Sequence, residues 1–192
     1  MALGGKRRPQ LRLVAPVDAT TRTEQWLQRI VVGLGLCPFA RPVLDNELLE
    51  IVVSDARDLD TLTADLDQAL ERLATTPAET LDTTLIVIES LLDDFAAFND
   101  YLAVADAVLQ ARDLDGVIQN ASFHPAYVFD GADPADAANA TNRAPYPTLH
   151  LLRESSLDAA IERYGDTSVI PERNAARLRA LGLAAYSDLM AD

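Results

Sequence analysis

Apolar residues recur along the chain in alternating helical and strand-like patterns. Helical spacing between Trp26 and Leu34 predicts a first helix, and a leucine stripe over 59–73 predicts a second. The segments 48–54 and 83–90 are short and rich in β-branched residues, as is typical of strands. The second of them is apolar almost throughout, which indicates a strand covered on both faces.

The second half of the chain continues this alternation and then becomes helical. A third helix is predicted from Asp93 or Asp94, followed by strands over 116–123 and 148–154. The pattern then predicts three helices, over 155–164, 171–182 and 184–190.

A long irregular region, 124–147, separates the last two strands. Within it the pattern predicts a short strand over 126–130 and a helical turn over 134–139. The helix that follows the fourth strand is predicted to take Ser155 or Ser156 as its N-cap.

This order of elements favours an α/β layered fold with a mostly parallel sheet of about four strands flanked by helices. The alternative is a ferredoxin-like α+β sandwich. The length of 192 residues fits one domain. We assign that domain to residues 18–192 and expect a flexible basic N-terminal segment over 1–17.

The charge is large and unevenly distributed. The formal net charge is −14, yet residues 1–41 carry seven basic and two acidic side chains. The acidic remainder repels phosphate backbones, which argues against general nucleic-acid binding. No apolar run approaches the roughly 20 residues that cross a membrane, and no signal peptide is evident. With a single cysteine, these features predict a cytoplasmic protein.

The residue types that carry most chemistry are concentrated in two places. Cys37 lies in the segment 33–40, and both histidines, His124 and His150, lie in 120–154. Ligands of open α/β sheets collect beyond the carboxyl ends of the strands. A loop as long as 124–147 is usually functional when it is ordered. We therefore expect one polar pocket built around this loop.

The leading hypothesis is an enzyme, or a binding protein, for a small anionic substrate. His124 would act as acid–base group and Cys37 as nucleophile or pocket wall, although a helix C-terminus before Cys37 would raise the pKa of its thiol. The remaining candidates would hold or orient the substrate: Asn120, Asn142, Arg143, Tyr146, His150 and Arg153. No motif identifies a cofactor, the oligomeric state stays open, and no metal site is assigned.

Two alternatives remain open. In the first, the chain is a non-catalytic interaction protein whose His124, Arg143 and Arg153 brace the long loop. In the second, it is a thiol or metal sensor that uses Cys37, His124 and His150, although these residues lack the short spacings of known zinc motifs.

Three sequence blocks resemble those of an uncharacterised bacterial family, the domain-of-unknown-function family 1415: GLGLCPFARPV, NASFHPAYVFDG and NATNRAPYPTLHLLRESS. The resemblance extends from about Thr23 to Tyr186 and implies no particular activity. The positions of this chain that fall in the blocks include Cys37, Pro38, Phe39, Asn120, His124, Pro125, Asn142, Arg143, Pro145, Tyr146, Pro147, His150, Arg153 and Glu154.

Overall fold

The four predicted strands are all present in the computed structural model, which describes residues 18–191. The basic segment 1–17 lies outside the described residues. The strands are β1 (Leu49–Ser54), β2 (Thr83–Ile88), β3 (Ile118–Phe123) and β4 (Thr148–Arg153).

Seven α-helices accompany the strands in the described part of the chain: α1 (Ala19–Trp26), α2 (Ala40–Asp45), α3 (Leu59–Thr75), α4 (Phe95–Ala111), α5 (Glu154–Tyr164), α6 (Val169–Leu181) and α7 (Leu183–Met190). Helix α1 continues directly as a π-helix, Leu27–Val32. The side chains of Asp18, Asp58 and Asp94 cap α1, α3 and α4 by accepting a backbone N–H, as short polar residues do at helix starts. Among the helices within residues 18–191, none combines the length and the apolar composition that a membrane span requires.

The sheet is mixed, so the prediction of a mostly parallel sheet is wrong. The strand order is β1-β2-β4-β3; β1 and β2 are parallel, and β4 is antiparallel to both of its neighbours. A parallel return needs a crossover of a dozen or more residues, usually a helix, whereas the segment before β4 holds only a 3₁₀-helix, Ala137–Asn142. The chain therefore re-enters the sheet at the same end at which β3 leaves it, and Phe123 pairs with Thr148.

The helices form a layer on each face of the sheet, as expected of an α/β fold rather than a ferredoxin-like sandwich. One core lies between the sheet and the pair α3 and α4, where Leu66, Leu70 and Phe98 are fully buried. The second core lies on the opposite face, where Trp26, Leu178 and Tyr186 bring α1, α6 and α7 together.

Two local predictions are corrected. Residues 126–130 form turns and irregular chain instead of a strand, because their N–H groups are used within the loop. Helix α5 begins at Glu154 with Arg153 in the cap position and no side-chain cap, so neither Ser155 nor Ser156 is its N-cap.

Candidate functional site

A cavity of about 970 Å³ lies against the second face of the sheet, between the strands and helices α2 and α5. Its floor is formed by Leu85 of β2, Ala121 and Phe123 of β3, and His150 of β4. The cross-strand register explains this floor, since Leu85 and Ala121 flank His150 on its two neighbouring strands. The volume is near the upper end of the range known for small-molecule sites, about 300–1,000 Å³.

The side walls of the cavity are two short amphipathic helices. Neither α2 nor α5 has a fully buried residue, yet both present apolar side chains to the cavity, including Val43, Leu157 and Ala160. The two walls meet where Phe39 packs edge-on against Tyr164, with ring centroids 5.7 Å apart. The apolar faces of these helices thus line the cavity instead of packing directly on the sheet.

The π-helix that follows α1 forms the inner end of the cavity. Its backbone bonds reach five residues back, from Gly33 N–H to the Gln28 carbonyl at 3.0 Å and from Leu36 N–H to the Val31 carbonyl at 2.9 Å. Val31 lies on the cavity wall. Runs of π-helix are rare in proteins, and those that occur often lie at functional sites. The π-helix therefore supports this part of the cavity wall as a candidate functional region.

Side chains of α6 hold the turn that leads from the π-helix to Cys37. The Asn174 amide donates to the Leu36 carbonyl at 2.7 Å, and the Arg173 guanidinium donates to the Gly35 carbonyl at 3.2 Å. These donors satisfy carbonyls that the end of a helix leaves without partners. The turn, and with it Cys37, is therefore fixed against the body of the protein.

Cys37 lies on the cavity wall, past the end of the π-helix and just before α2. Burial raises the pKa of its thiol, and the nearby N–H groups of Phe39 and Ala40 offset only part of that effect. The pKa of Cys37 is thus shifted in the predicted direction, but the main cause is burial. Because the thiolate is the nucleophilic form, a raised pKa favours Cys37 as an unreactive wall residue.

His150 is the second polar side chain on the cavity floor. Its Nε2 lies 2.8 Å from the hydroxyl of Thr83, which also donates to the Leu151 carbonyl at 2.6 Å. Burial lowers the pKa of His150 to about 4, so the imidazole is neutral near pH 7. The ring keeps partial exposure, through the cavity that it lines.

His124 lies on the other face of the sheet and is fully buried. Its Nε2 lies 3.1 Å from the Leu92 carbonyl, and its Nδ1 accepts the N–H of Ala126 at 3.0 Å. The ring packs against Phe95 and Phe98 of α4, with centroids 5.2 Å from each. Since both nitrogens are engaged and no solvent reaches the ring, this geometry favours a structural role over acid–base chemistry.

Arg143 braces the long loop from within. Its guanidinium donates to the carbonyls of Tyr127 at 3.2 Å and Pro134 at 3.3 Å. The backbone carbonyl of Arg143 accepts a hydrogen bond from the Tyr186 hydroxyl at 3.0 Å. The fully buried Asn139 adds two further contacts, to the Phe129 N–H and the Asp133 carbonyl. These bonds satisfy backbone groups of an irregular segment that has no ladder to satisfy them.

Arg153 lines the cavity, but its guanidinium is committed elsewhere. It donates to the carbonyls of Leu73 and Thr76 at the end of α3 and to the carbonyl of Leu81. Terminal carbonyls of a helix lack intrahelical partners, and a cation there also complements the helix dipole. Arg153 thus ties α3 to the start of β2.

Three of the eight predicted site residues line the cavity, and five do not. Cys37, His150 and Arg153 line the cavity described above, whereas His124, Asn120, Asn142, Arg143 and Tyr146 do not. His124 and His150 occupy opposite faces, so they do not converge with Cys37 on one ion. No group of three or more His, Cys, Asp or Glu side chains suited to a metal ion occurs within 18–191.

The sequence analysis missed several cavity residues, of which Thr83 and Asp82 are the most informative. Thr83 fixes His150, and the Asp82 carboxylate has a buried oxygen without a hydrogen-bond partner in the described chain. The available signal was the pair Thr83–Thr84 at the head of an otherwise apolar strand. Small wall residues such as Ala121 and Ala160 give no such signal, because alanine is common in any packed layer.

Comparisons with known proteins give a family and nothing more specific. No curated protein and no solved structure matches the chain significantly. A family model described as "Protein of unknown function (DUF1415)" matches residues 18–188, which span the sheet, the whole cavity wall and nearly all of both helical layers. The chain therefore belongs to the DUF1415 family, as its three sequence blocks predicted.

Proposed function

We propose that the chain binds a small, predominantly apolar molecule in the cavity between the sheet and helices α2 and α5. The observation that carries the proposal is that these two helices contribute no fully buried residue but present their apolar faces to one cavity of about 970 Å³. Exposed residues such as Pro42, Asn46 and Ser155 form part of its rim, so a ligand has access from solvent. Burial of apolar ligand surface there would be favourable by roughly 25 cal/mol per Å².

Binding is favoured over catalysis by the state of the polar groups. Cys37 has a raised pKa and His150 a lowered one, so a neutral thiol and a neutral imidazole face the cavity. Catalytic cysteines usually depend on the opposite shift, toward thiolate. We propose Cys37 as a wall residue and His150 as a residue that orients the ligand.

The predicted roles of His124 and Arg143 change accordingly. Their hydrogen bonds to Leu92, Ala126, Tyr127 and Pro134 support the bracing role that the sequence left open as an alternative. We propose that Asn120, Asn142 and Tyr146 likewise support the loop and β3 without touching the ligand.

Fluorescence titration with the uncharged apolar dye N-phenylnaphthylamine tests the proposal. The full chain is expected to bind one dye molecule with enhanced emission. Ala121→Phe places a ring on the cavity floor opposite His150 and should weaken binding at least roughly tenfold. The matched control, Ala96→Phe, lies on the exposed surface of α4 and should leave binding unchanged.

The outcome that would overturn the proposal is equally specific. No dye binding, or equal binding by wild type and a folded Ala121→Phe, would exclude the cavity as a site. If Ala121→Phe unfolds, Ala160→Leu on the opposite wall provides the second variant, and thermal unfolding checks both.

A further inference from the structure

The hydrogen bonds of Thr83 determine which nitrogen of His150 carries the proton. A threonine hydroxyl has one hydrogen, and the contact of 2.6 Å to the Leu151 carbonyl uses it, since a carbonyl only accepts. Toward His150 the Thr83 oxygen must therefore accept, across 2.8 Å, from an Nε2–H. The neutral imidazole then presents Nδ1 as a hydrogen-bond acceptor.

Nδ1 of His150 has no hydrogen-bond partner among residues 18–191, and the side chain lies on the cavity wall. On the cavity floor, Nδ1 is thus the atom that can accept a hydrogen bond from a ligand. Asp82, on the same wall, adds a carboxylate, which also only accepts, and one of its oxygens is buried without a partner in this part of the chain. Both groups lack a donor.

The two cationic side chains of the wall make no hydrogen bond to these acceptors. Arg153 donates to the carbonyls of Leu73, Thr76 and Leu81, and the exposed Arg163 donates its Nε–H to the carbonyl of Ala159 in its own helix. Within the described residues, Nδ1 of His150 and the buried oxygen of Asp82 therefore both stay without a donor. A ligand complements these two atoms by bringing a donor, whereas a carboxylate or phosphate would place an acceptor beside an acceptor.

We propose that the ligand is an apolar molecule with a hydroxyl head group that donates a hydrogen bond to Nδ1 of His150. This inference rests on the proposed function and specifies the ligand class. A hydroxyl supplies the missing donor without bringing a charge into a predominantly apolar cavity, which would be costly. An ammonium group would donate as well, and Asp82 could pair with its charge, but moving that charge from water into a predominantly apolar cavity costs more than moving a hydroxyl.

Competition between the dye and three ligands of equal chain length tests the head group: decanol, decylamine and decanoate at pH 7. Decanol is expected to displace the dye at concentrations at least roughly tenfold lower than decanoate or decylamine. His150→Phe keeps a ring of similar size but removes the acceptor, so it should reduce the affinity for decanol about tenfold more than the affinity for the dye. Thr83→Ser retains the hydroxyl and should preserve the decanol preference.

The results that contradict this inference differ from those that contradict the cavity itself. Stronger competition by decanoate would support the predicted anionic ligand and overturn the hydroxyl; stronger competition by decylamine would overturn it in favour of a cation. Retention of the decanol preference in His150→Phe would remove His150 from recognition. In each case the proposal that the cavity is a binding site is retained if wild type binds the dye and Ala121→Phe does not. It is abandoned if wild type does not bind the dye.

Discussion

His124 and Arg153 lie at opposite ends of the paired strands β3 and β4. His124 directly follows β3 at the end where β4 begins, while Arg153 is the last residue of β4 and pairs with Ile118 at the start of β3. The two backbone positions are therefore about 20 Å apart along the strands, six residues at roughly 3.4 Å each. A small ligand does not contact both, and each residue has to be understood from its own surroundings.

We predict that His124→Leu lowers the free energy of unfolding by about 2 kcal/mol or more. The change leaves the partly buried Ala126 N–H and Leu92 carbonyl without their partner, next to the fully buried side chain at 124. Urea unfolding measures the loss, and dye titration of the folded variant should give wild-type affinity. Unchanged stability together with lost binding would contradict the bracing role and restore His124 to the ligand site.

The lowered pKa of His150 predicts a loss of stability in mild acid. The unfolded histidine, with a pKa near 6.5, takes up its proton well before the folded one, with a pKa of about 4. As pH falls from 6.5 to about 4, the unfolded state binds more protons, so unfolding becomes more favourable. We expect a cost of up to about 2 kcal/mol, reduced from the full shift because the ring keeps contact with solvent in the cavity.

Urea unfolding of wild type and His150→Gln at pH 7 and pH 4.5 checks this prediction. The wild type should lose more stability than the variant, which has no group that titrates at this position. Asp136, whose carboxyl pKa is lowered to about 2 by Arg179, remains ionised in the folded state at pH 4.5 and serves as a common background in both chains. Equal losses in the two chains would contradict a neutral, buried His150.

Cys37 should react slowly with iodoacetamide. Its raised pKa reduces the thiolate fraction at pH 8, and burial restricts access, so alkylation should be at least roughly tenfold slower than in the urea-unfolded chain. Saturation with decanol or the dye should slow it further, because Cys37 lines the cavity. Mass spectrometry of the single cysteine follows the rate. Alkylation as fast as in the unfolded chain would instead indicate an activated nucleophile.

Gly33→Ala should destabilise the protein although Gly33 has ordinary helical dihedral angles, with φ −62°. The backbone at the end of the π-helix would place a Cβ only 2.2 Å from the Arg29 carbonyl oxygen, so the chain must shift. We expect a loss of about 2 kcal/mol or more in urea unfolding. In the comparison variant, Gly116→Ala, the added Cβ has no atom within 4 Å. The only cost is that alanine must adopt a positive φ, so the free energy of unfolding should fall by about 1 kcal/mol. A smaller effect at Gly33 would contradict the π-helical geometry.

Most elements of the fold were predictable because their signals are local. The Asp58 cap and the leucines of α3 determine that helix at close range, and the predicted fourth strand coincides with β4 to within one residue. The direction of β4 was not predictable, because it depends on how the chain returns through 124–147. Hydrogen bonds of Asn139 and Arg143 to distant backbone groups hold that return, and such pairs leave no periodic pattern.

By itself the sequence determined the four strands, every α-helix except α2, the family and the three blocks in which the polar candidates lie, since each rests on neighbouring residues. Only the tertiary structure decided that β4 is antiparallel, and this single fact moves Arg153 away from His124. It also decided that His150 and Cys37 line a cavity while His124 is buried in the opposite core. Which face a side chain occupies follows from strand register and from contacts between residues far apart in the chain, and these are properties of the assembled fold.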